Sequence, residues 1–328
     1  MSLPLLICDD SSFARKQMAR ALPDGWDVDI SFAANGAEGI DAIRAGKGDV
    51  LLLDLNMPVM DGYEVLEAIR KQDLPTVVIV VSGDIQPEAR ERVLQLGAID
   101  FIKKPTDRAG ITRVLQQYGL ITEKKSEIKT TEIDVDLYDC YQEIANVAMG
   151  QAADLLARLL NVFVVLPAPR VNIFEASELH MALQLAGSKD TFSAVCQGYI
   201  GDGIAGEALL IFSDSSFPDI AKLMKYEGMI DDAVEIELLM DVSSILIGAC
   251  LKGIADQLDM TFSQGHPVVL GQHFKVSDLI KTSPHSRNTL AIEINYKIEN
   301  HNIDCDLLLL FTEDTIPIMN NKVSCLID

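Results

Sequence analysis

Positive charge is scarce in this chain. Its 328 residues hold 27 Lys+Arg against 49 Asp+Glu, a net charge of −22. So acidic a surface repels a phosphate backbone, which argues against nucleic acid as a partner. No basic region hides behind an acidic tail: residues 1–120 hold 13 Lys+Arg and 18 Asp+Glu, net −5, which leaves −17 for the remainder. The six cysteines (Cys8, Cys140, Cys196, Cys250, Cys305, Cys325) lie far apart without a CxxC pair, so they read as buried or free thiols in a reducing compartment. The five histidines show no ligand spacing, and surface or core roles are expected for them. No apolar run approaches a membrane span; Leu155–Leu166 is interrupted by Arg158 and Asn161. Met1-Ser2-Leu3-Pro4 has no basic region and runs toward Asp9, unlike a signal peptide. No helix-turn-helix signature and no nucleotide-binding loop is found. A cytoplasmic location without membrane insertion is the expectation.

What is present is a globular composition, 48% hydrophobic, long enough for two or three domains. Up to about Tyr118 strand-like runs (Leu5–Cys8, Val28–Ala33, Val50–Leu53, Thr76–Val81, Phe101–Lys103) alternate with helical stretches (Phe13–Leu22, Ala37–Ala45, Tyr63–Lys71, Pro87–Leu96, Ile111–Tyr118). Five such units predict an α/β doubly wound parallel sheet over residues 1–120. Residues 121–135 are charged and lack an apolar stripe; as a flexible linker they would span roughly 20 Å root-mean-square. Residues 136–328 differ. Long helical patterns near Tyr138–Leu160 and Ala233–Leu258 are each followed by alternating segments, Ala194–Phe212 with the turn Gly201-Asp202-Gly203 and Leu290–Phe311 with the turn Asn300-His301-Asn302. Helix then antiparallel hairpin, twice, predicts an α+β domain with an internal two-fold repeat, about 136–230 and 231–328.

The first domain places its acids at strand ends. Asp9-Asp10 end Leu5–Cys8, Asp54 ends Val50–Leu53, and Lys104 follows Phe101–Lys103. Strand C-termini of such a sheet share one edge, where ligands bind. Three carboxylates and one lysine would meet there, and clustered carboxylates repel unless a hard cation such as Mg²⁺ joins them. With Asn56-Met57-Pro58, Asp61-Gly62, Ser82-Gly83 and Lys104-Pro105, residues 1–120 resemble the receiver domain of two-component response regulators, the CheY family. The resemblance implies that Asp54 is the phosphoacceptor, charged by a histidine kinase. It implies that Asp10, Asp54 and the Asn56 carbonyl hold Mg²⁺, with Asp9 helping through water. Lys104 would neutralise a phosphoryl oxygen, Ser82 would hydrogen-bond the phosphoryl group, and Phe101 would be the aromatic switch.

In the second domain Asp139, Glu143, Asn146 and Gly150 fall within about 60° of one another on a helix, a polar face open to a partner. Ile144, Ala148, Gln151, Leu155 and Leu159 occupy the opposite side and are expected to face the core. Pro169 follows Asn146 after 22 residues. Adding 98 to these numbers gives Glu237, Asp241, Ser244, Gly248 and Pro267, the same residue types nearly in register. The spacing of Asp139, Glu143, Asn146 and Pro169 resembles the signature of the CheC/CheX/FliY phosphatases. That resemblance implies an enzyme that hydrolyses aspartyl phosphate on a CheY-type receiver. The Asn146 carboxamide would orient the attacking water while Glu143 pairs with the receiver lysine. An amide both donates and accepts, so it can hold a water in line without taking its proton. Asp241 and Ser244 depart from the motif. Asp is one methylene shorter than Glu, and a short hydroxyl stands where the carboxamide would be, so the second site is expected to be degenerate. The favoured target is a separate CheY-type receiver, the attached receiver and a homodimer partner being the alternatives. A catalytically silent, phospho-switched adaptor for chemotaxis or flagellar proteins is the rival reading.

Overall fold

The computed structural model describes residues 2–121, 135–174, 191–274 and 289–327. The expected linker lies almost wholly outside the described residues. The chain divides into two compact units, Met1–Glu143 and Ile144–Asp328.

In the first unit β1 (Leu3–Cys8), β2 (Val28–Ala33), β3 (Val50–Leu53), β4 (Val77–Ser82) and β5 (Asp100–Lys103) form a sheet of order β2-β1-β3-β4-β5. Every pairing is parallel. The helices between strands are α1 (Ser12–Arg20), α2 (Gly36–Arg44), α3 (Gly62–Gln72) and α4 (Pro87–Leu96), with α5 (Arg108–Gln117) after β5. Because successive side chains leave a strand on opposite faces, each strand feeds two cores. Leu5, Ile7, Val50, Leu52, Ile79 and Val81 pack with Met18 of α1 and Ile111, Val114 and Leu115 of α5. Leu6, Cys8, Leu51, Leu53, Val78 and Val80 pack with Ile40 and Ile43 of α2, Val65 and Leu66 of α3 and Val93 of α4. Strands buried on both faces read as continuous apolar runs, which is why they were visible in sequence.

Helix starts are set by side-chain caps. The Ser11, Asn35, Asp61 and Asp107 side chains accept from the third residue of α1, α2, α3 and α5 respectively. Asp61 and Glu64 form a capping box. Gly62, the first residue of α3, is required by close approach: a Cβ there would lie 2.3 Å from the Asp54 carbonyl oxygen and 2.8 Å from Leu55 Cα. The bare backbone lets α3 start directly against the end of β3, where the acidic pocket begins.

In the second unit β8 (Phe192–Gly201), β9 (Ile204–Ser213), β12 (Thr289–Ile298) and β13 (Asp304–Thr312) form the centre of an antiparallel sheet. Its path is β10-β8-β9-β13-β12-β6, with β10 (Ser263–Gln264) and β6 (Val164–Val165) at the ends. In addition β11 (Val268–Phe274) pairs with β8 and β7 (Arg170–Phe174) with β12. The helices are α6 (Leu137–Leu160), α7 (Phe217–Leu223), α8 (Asp232–Gln257) and α9 (Ile316–Ile327). Among the described residues one order of elements occurs twice: long helix, two-residue strand, longer strand, hairpin, 3₁₀ turn and helix. The first hairpin turns at Asp202 (φ 49°) and Gly203 (φ 80°), left-handed residues that match strand twist in a two-residue loop.

Helices α6 and α8 cross closely. A Cβ on Gly253 would lie 2.8 Å from Ala148 Cα, and Gln257 Nε2 donates to the Ile144 carbonyl at 3.0 Å. By length and composition α8 could cross a membrane, contrary to the expectation from sequence, but 67% of its most apolar stretch is buried inside the protein. The expected core face of α6 needs correction. Ile144 and Ala148 are buried, yet Leu155 is 50% and Leu159 47% exposed. The buried row advances through Ala152, Ala153, Leu156, Ala157 and Leu160, and Leu155 and Leu159 fall outside that arc, beyond its Ala152 edge.

Gly62→Ala should place a methyl against unyielding backbone. We expect a loss of about 1–3 kcal/mol in urea unfolding of the full chain; an unchanged midpoint would mean that α3 can retreat from β3 freely.

Candidate functional site

The pocket lies at the carboxyl ends of β1, β3 and β5. Asp9 and Asp54 are buried, Asp10 is half-buried, and Lys104 is 3% exposed. Lys104 Nζ stands 2.7 Å from Asp9 Oδ2 and 3.2 Å from Asp54 Oδ1. Arg15, on α1, donates to the Asp9 carbonyl at 2.5 Å and the Asp10 carbonyl at 3.1 Å. The Asp9 Oδ1 atom accepts from the Ser11 amide at 2.9 Å, which fixes the turn from strand into helix. Asp54 Oδ2 accepts from the Asn56 amide at 3.1 Å, so the Asp54–Asn56 segment curls over the strand end.

Ser82 ends β4 and is buried. Its hydroxyl accepts from the Asp84 amide at 3.1 Å, and its carbonyl accepts from the Lys104 amide at 2.9 Å. That second bond ties the lysine-bearing turn to β4. Phe101 is partly buried against the core of α2, α3 and α4.

The electrostatics are unbalanced. Burial pushes the Asp10 carboxyl up to about 7, with the Asp54 charge adding and Lys104 opposing. Asp9 is also raised, by burial first, against the pull of Lys104. Burial works against the Lys104 charge, but Asp54, Asp9 and Glu143 outweigh it and hold its pKa well above the ordinary value. Asp9, Asp10 and Asp54 bring one carboxylate oxygen each within 4.8 Å of one another. An all-oxygen, acid-rich set with a single ammonium suits a hard divalent cation. The residues present therefore fit Mg²⁺, held by Asp9, Asp10 and Asp54.

The first two turns of α6 belong to the same unit. Here Glu143 Oε1 lies 3.2 Å and Oε2 3.3 Å from Lys104 Nζ. Burial raises the Glu143 carboxyl, Lys104 lowers it, and Asp54 raises it further. Asp139 accepts from the Phe13 amide at 2.8 Å and from the Ser12 hydroxyl. Gln142 Nε2 reaches Asp10 Oδ2 at 3.5 Å. The spacing of the polar face singled out Asp139, but nothing in it named α1 as partner; Gln142 and Arg15 carried no signal of their own.

The expectation that this polar face is open needs correction: Glu143 and Asn146 are both buried, each 5% exposed. For Glu143 the reason is the charged contact with Lys104. The second motif is placed differently. Glu237, Asp241 and Ser244 are exposed, and the Ser244 hydroxyl donates to the Met240 carbonyl of its own helix at 2.8 Å.

Residues 5–116 match the response regulator receiver domain family. Over 103 residues the chain is 40% identical to a protein-glutamate methylesterase/protein-glutamine glutaminase of Geobacter sulfurreducens, covering 31% of this chain and 28% of that protein. Over 141 residues it is 34% identical to a probable C4-dicarboxylate response regulator of Priestia megaterium, covering 42% and 58%. The chain thus spans less than two thirds of the length of these relatives. Among solved structures, Thermotoga maritima FliY aligns at 17% identity and a TM-score of 0.44, over 60% of this chain and 99% of that one.

Because Asp10 holds a proton up to about 7, cation binding must displace it below that pH. Calorimetric titration with Mg²⁺ should show affinity flat above about pH 8 and falling by up to tenfold per unit below about 7. Affinity independent of pH from 5 to 8 would remove Asp10 from the ligand set.

Proposed function

We infer that the N-terminal unit, whose residues 5–116 match the receiver-domain family, works as the receiver of a two-component response regulator. We propose that Asp54 is its phosphoacceptor and that residues 136–328 form an output domain that hydrolyses aspartyl phosphate. The domain ranges 1–120, 121–135 and 136–328, and the duplicated origin of the third, belong to the same proposal. The observation that carries it is Glu143 set 3.2 Å from Lys104, the ammonium that also faces Asp54. A helix carboxylate on that ammonium brings its own helix to the atoms where a phosphoryl group would stand.

In this reading phosphoryl transfer to Asp54 needs positioning and charge neutralisation more than acid–base chemistry. Lys104 supplies a point charge to one phosphoryl oxygen. Ser82 hydrogen-bonds another, and Phe101 answers the change at Ser82. Mg²⁺, when bound by Asp9, Asp10, Asp54 and the Asn56 carbonyl, supplies further neutralisation of developing negative charge. Asn146 follows Glu143 by three residues on one helical face, and its carboxamide aims a water at phosphorus. Glu143 fixes the helix by its pair with the receiver lysine. The second copy is inactive in this account: Ser244 turns its hydroxyl back onto Met240 and has no carboxamide with which to hold a water. A histidine kinase is the phosphodonor, and the protein is cytoplasmic.

The test is phosphate release from a separate phosphorylated CheY-type receiver mixed with the full chain. Asn146→Ala should slow release about 100-fold, the scale of losing one positioning group, while Ser244→Ala should leave it unchanged. Equal release by wild type and Asn146→Ala, with unchanged receiver binding, would favour an adaptor without chemistry.

A further inference from the structure

In the second unit the far end of β11 is held by side chains more than by its ladder. The register between β11 and β8 shifts between Val269 and Gly271 and again between Gly271 and Phe274. Gln272 and His273 fall within the second shift, where strand pairing is interrupted. His273 has φ 53°, a left-handed conformation that is unfavourable for residues with a Cβ. Such a conformation persists where its surroundings fix it. Gln272 Nε2 donates to the Asp232 carbonyl at 2.9 Å, which ties the strand to the start of α8. The His273 ring completes the attachment.

Among the described residues the charged groups facing that ring are acids from two elements. Nδ1 lies 3.0 Å from Asp214 Oδ2, in the 3₁₀ turn Asp214–Ser216 after β9. Nε2 lies 3.2 Å from Glu235 Oε2 and 3.9 Å from Asp232 Oδ1, both in the first turn of α8. Asp231, the cap of that helix, adds negative charge beside Glu235. The other Asp214 oxygen accepts from the Ser193 hydroxyl at 2.7 Å, which fixes the carboxylate. Glu235 Oε2 is buried and takes no hydrogen bond. A neutral imidazole has one N–H and one lone pair. Here that lone pair would face a carboxylate oxygen whichever nitrogen carried it, and the two would repel. A ring protonated on both nitrogens presents positive charge to both acids. The acids approach different nitrogens, and among the described residues only Asp9, Asp10 and Asp54 converge as a metal set.

We propose that His273 is a proton-operated clasp, which holds the end of β11 to the Asp214 turn and the start of α8 while its ring is charged and releases it when the ring is neutral. The clasp does not depend on the phosphatase reading. The Asp214 hydrogen bond raises the His273 pKa above its ordinary value, burial opposes, and the charges of Asp214, Glu235 and Asp232 add to the rise. The stability this group contributes is therefore fully present below about 6.5, the unfolded value, and is lost as pH rises through the higher folded value. Burial raises the Glu235 carboxyl too, with His273 opposing, so Glu235 loosens the contact in the same direction from lower pH. Release frees the end of an edge strand whose Val268 and Leu270 already face solvent. It also unties the turn of α8 that precedes Glu237.

The experiment titrates the histidine-labelled full chain by NMR from about pH 5 to 9, across the range where imidazole charge changes. Amide exchange of residues 268–274, corrected for its intrinsic pH dependence, is followed in parallel by mass spectrometry. Both His273 nitrogens should carry protons at about pH 6, and the ring should titrate with a midpoint above about 6.5. Protection of residues 268–274 should fall through the same midpoint, by about tenfold for each unit by which it exceeds 6.5. His273→Gln should abolish that fall and leave protection at the high-pH level of the wild type. Asp214→Asn, which keeps the histidine, should lower the midpoint and shrink the fall, and it decides the question if His273→Gln does not fold. A midpoint at or below the free-histidine value, a ring with one bare nitrogen in mild acid, or a midpoint unmoved by Asp214→Asn would overturn the clasp. So would a fall in protection that survives His273→Gln.

Discussion

One ammonium set among carboxylates governs this structure. Lys104 faces Asp9, Asp54 and Glu143 within about 3.3 Å, with Asp10 at the pocket's rim. At such separations Coulomb attraction is about 5–6 kcal/mol per pair at an effective dielectric near 20. Burying each ion costs several kcal/mol, so a single positive charge cannot compensate every acid. The remaining imbalance appears as protons held on Asp9 and Asp10 above their ordinary range. An acid-rich oxygen set in this condition suits a hard divalent cation. In the proposed function, a phosphoryl group on Asp54 would compete for the lysine with the acids that hold it.

The rest of the first unit serves that placement. Five parallel strands end on one edge, Gly62 lets α3 start against β3, and the Ser82 carbonyl holds the turn that carries Lys104. Asp139, Gln142 and Glu143 come from one short stretch of α6, so their contacts rise and fall together.

Much of this was legible in the residues. The five strands and five helices of the receiver follow from short apolar runs that alternate with helical stretches, two of those runs ending in acids, and Pro87 marks the start of α4. Boundaries moved where a cap decided them: α5 begins at Arg108 and not Ile111, because Asp107 accepts from the Gly110 amide. The polar face of α6 was visible as spacing, but its burial was not, since burial depends on residues 39 to 132 positions away in sequence. Leu155 and Leu159 were misplaced for a related reason. Periodicity identifies a stripe, whereas the crossing at Ala148 and Gly253 decides which edge of the stripe is covered. Long-range partners of charged groups leave no local pattern, so the capping of α1 by Asp139 had to be seen in three dimensions.

The central claim of the proposed function is that the Asn146 carboxamide on α6 directs water to phosphorus on an aspartyl phosphate. It is tested most directly by mixing a phosphorylated CheY-type receiver with the full chain in ¹⁸O-labelled water. The account predicts a fast phase, absent with Asn146→Ala, that carries the heavy oxygen into inorganic phosphate. Heavy oxygen in the receiver's aspartate side chain, or the same fast phase with both chains, would contradict it.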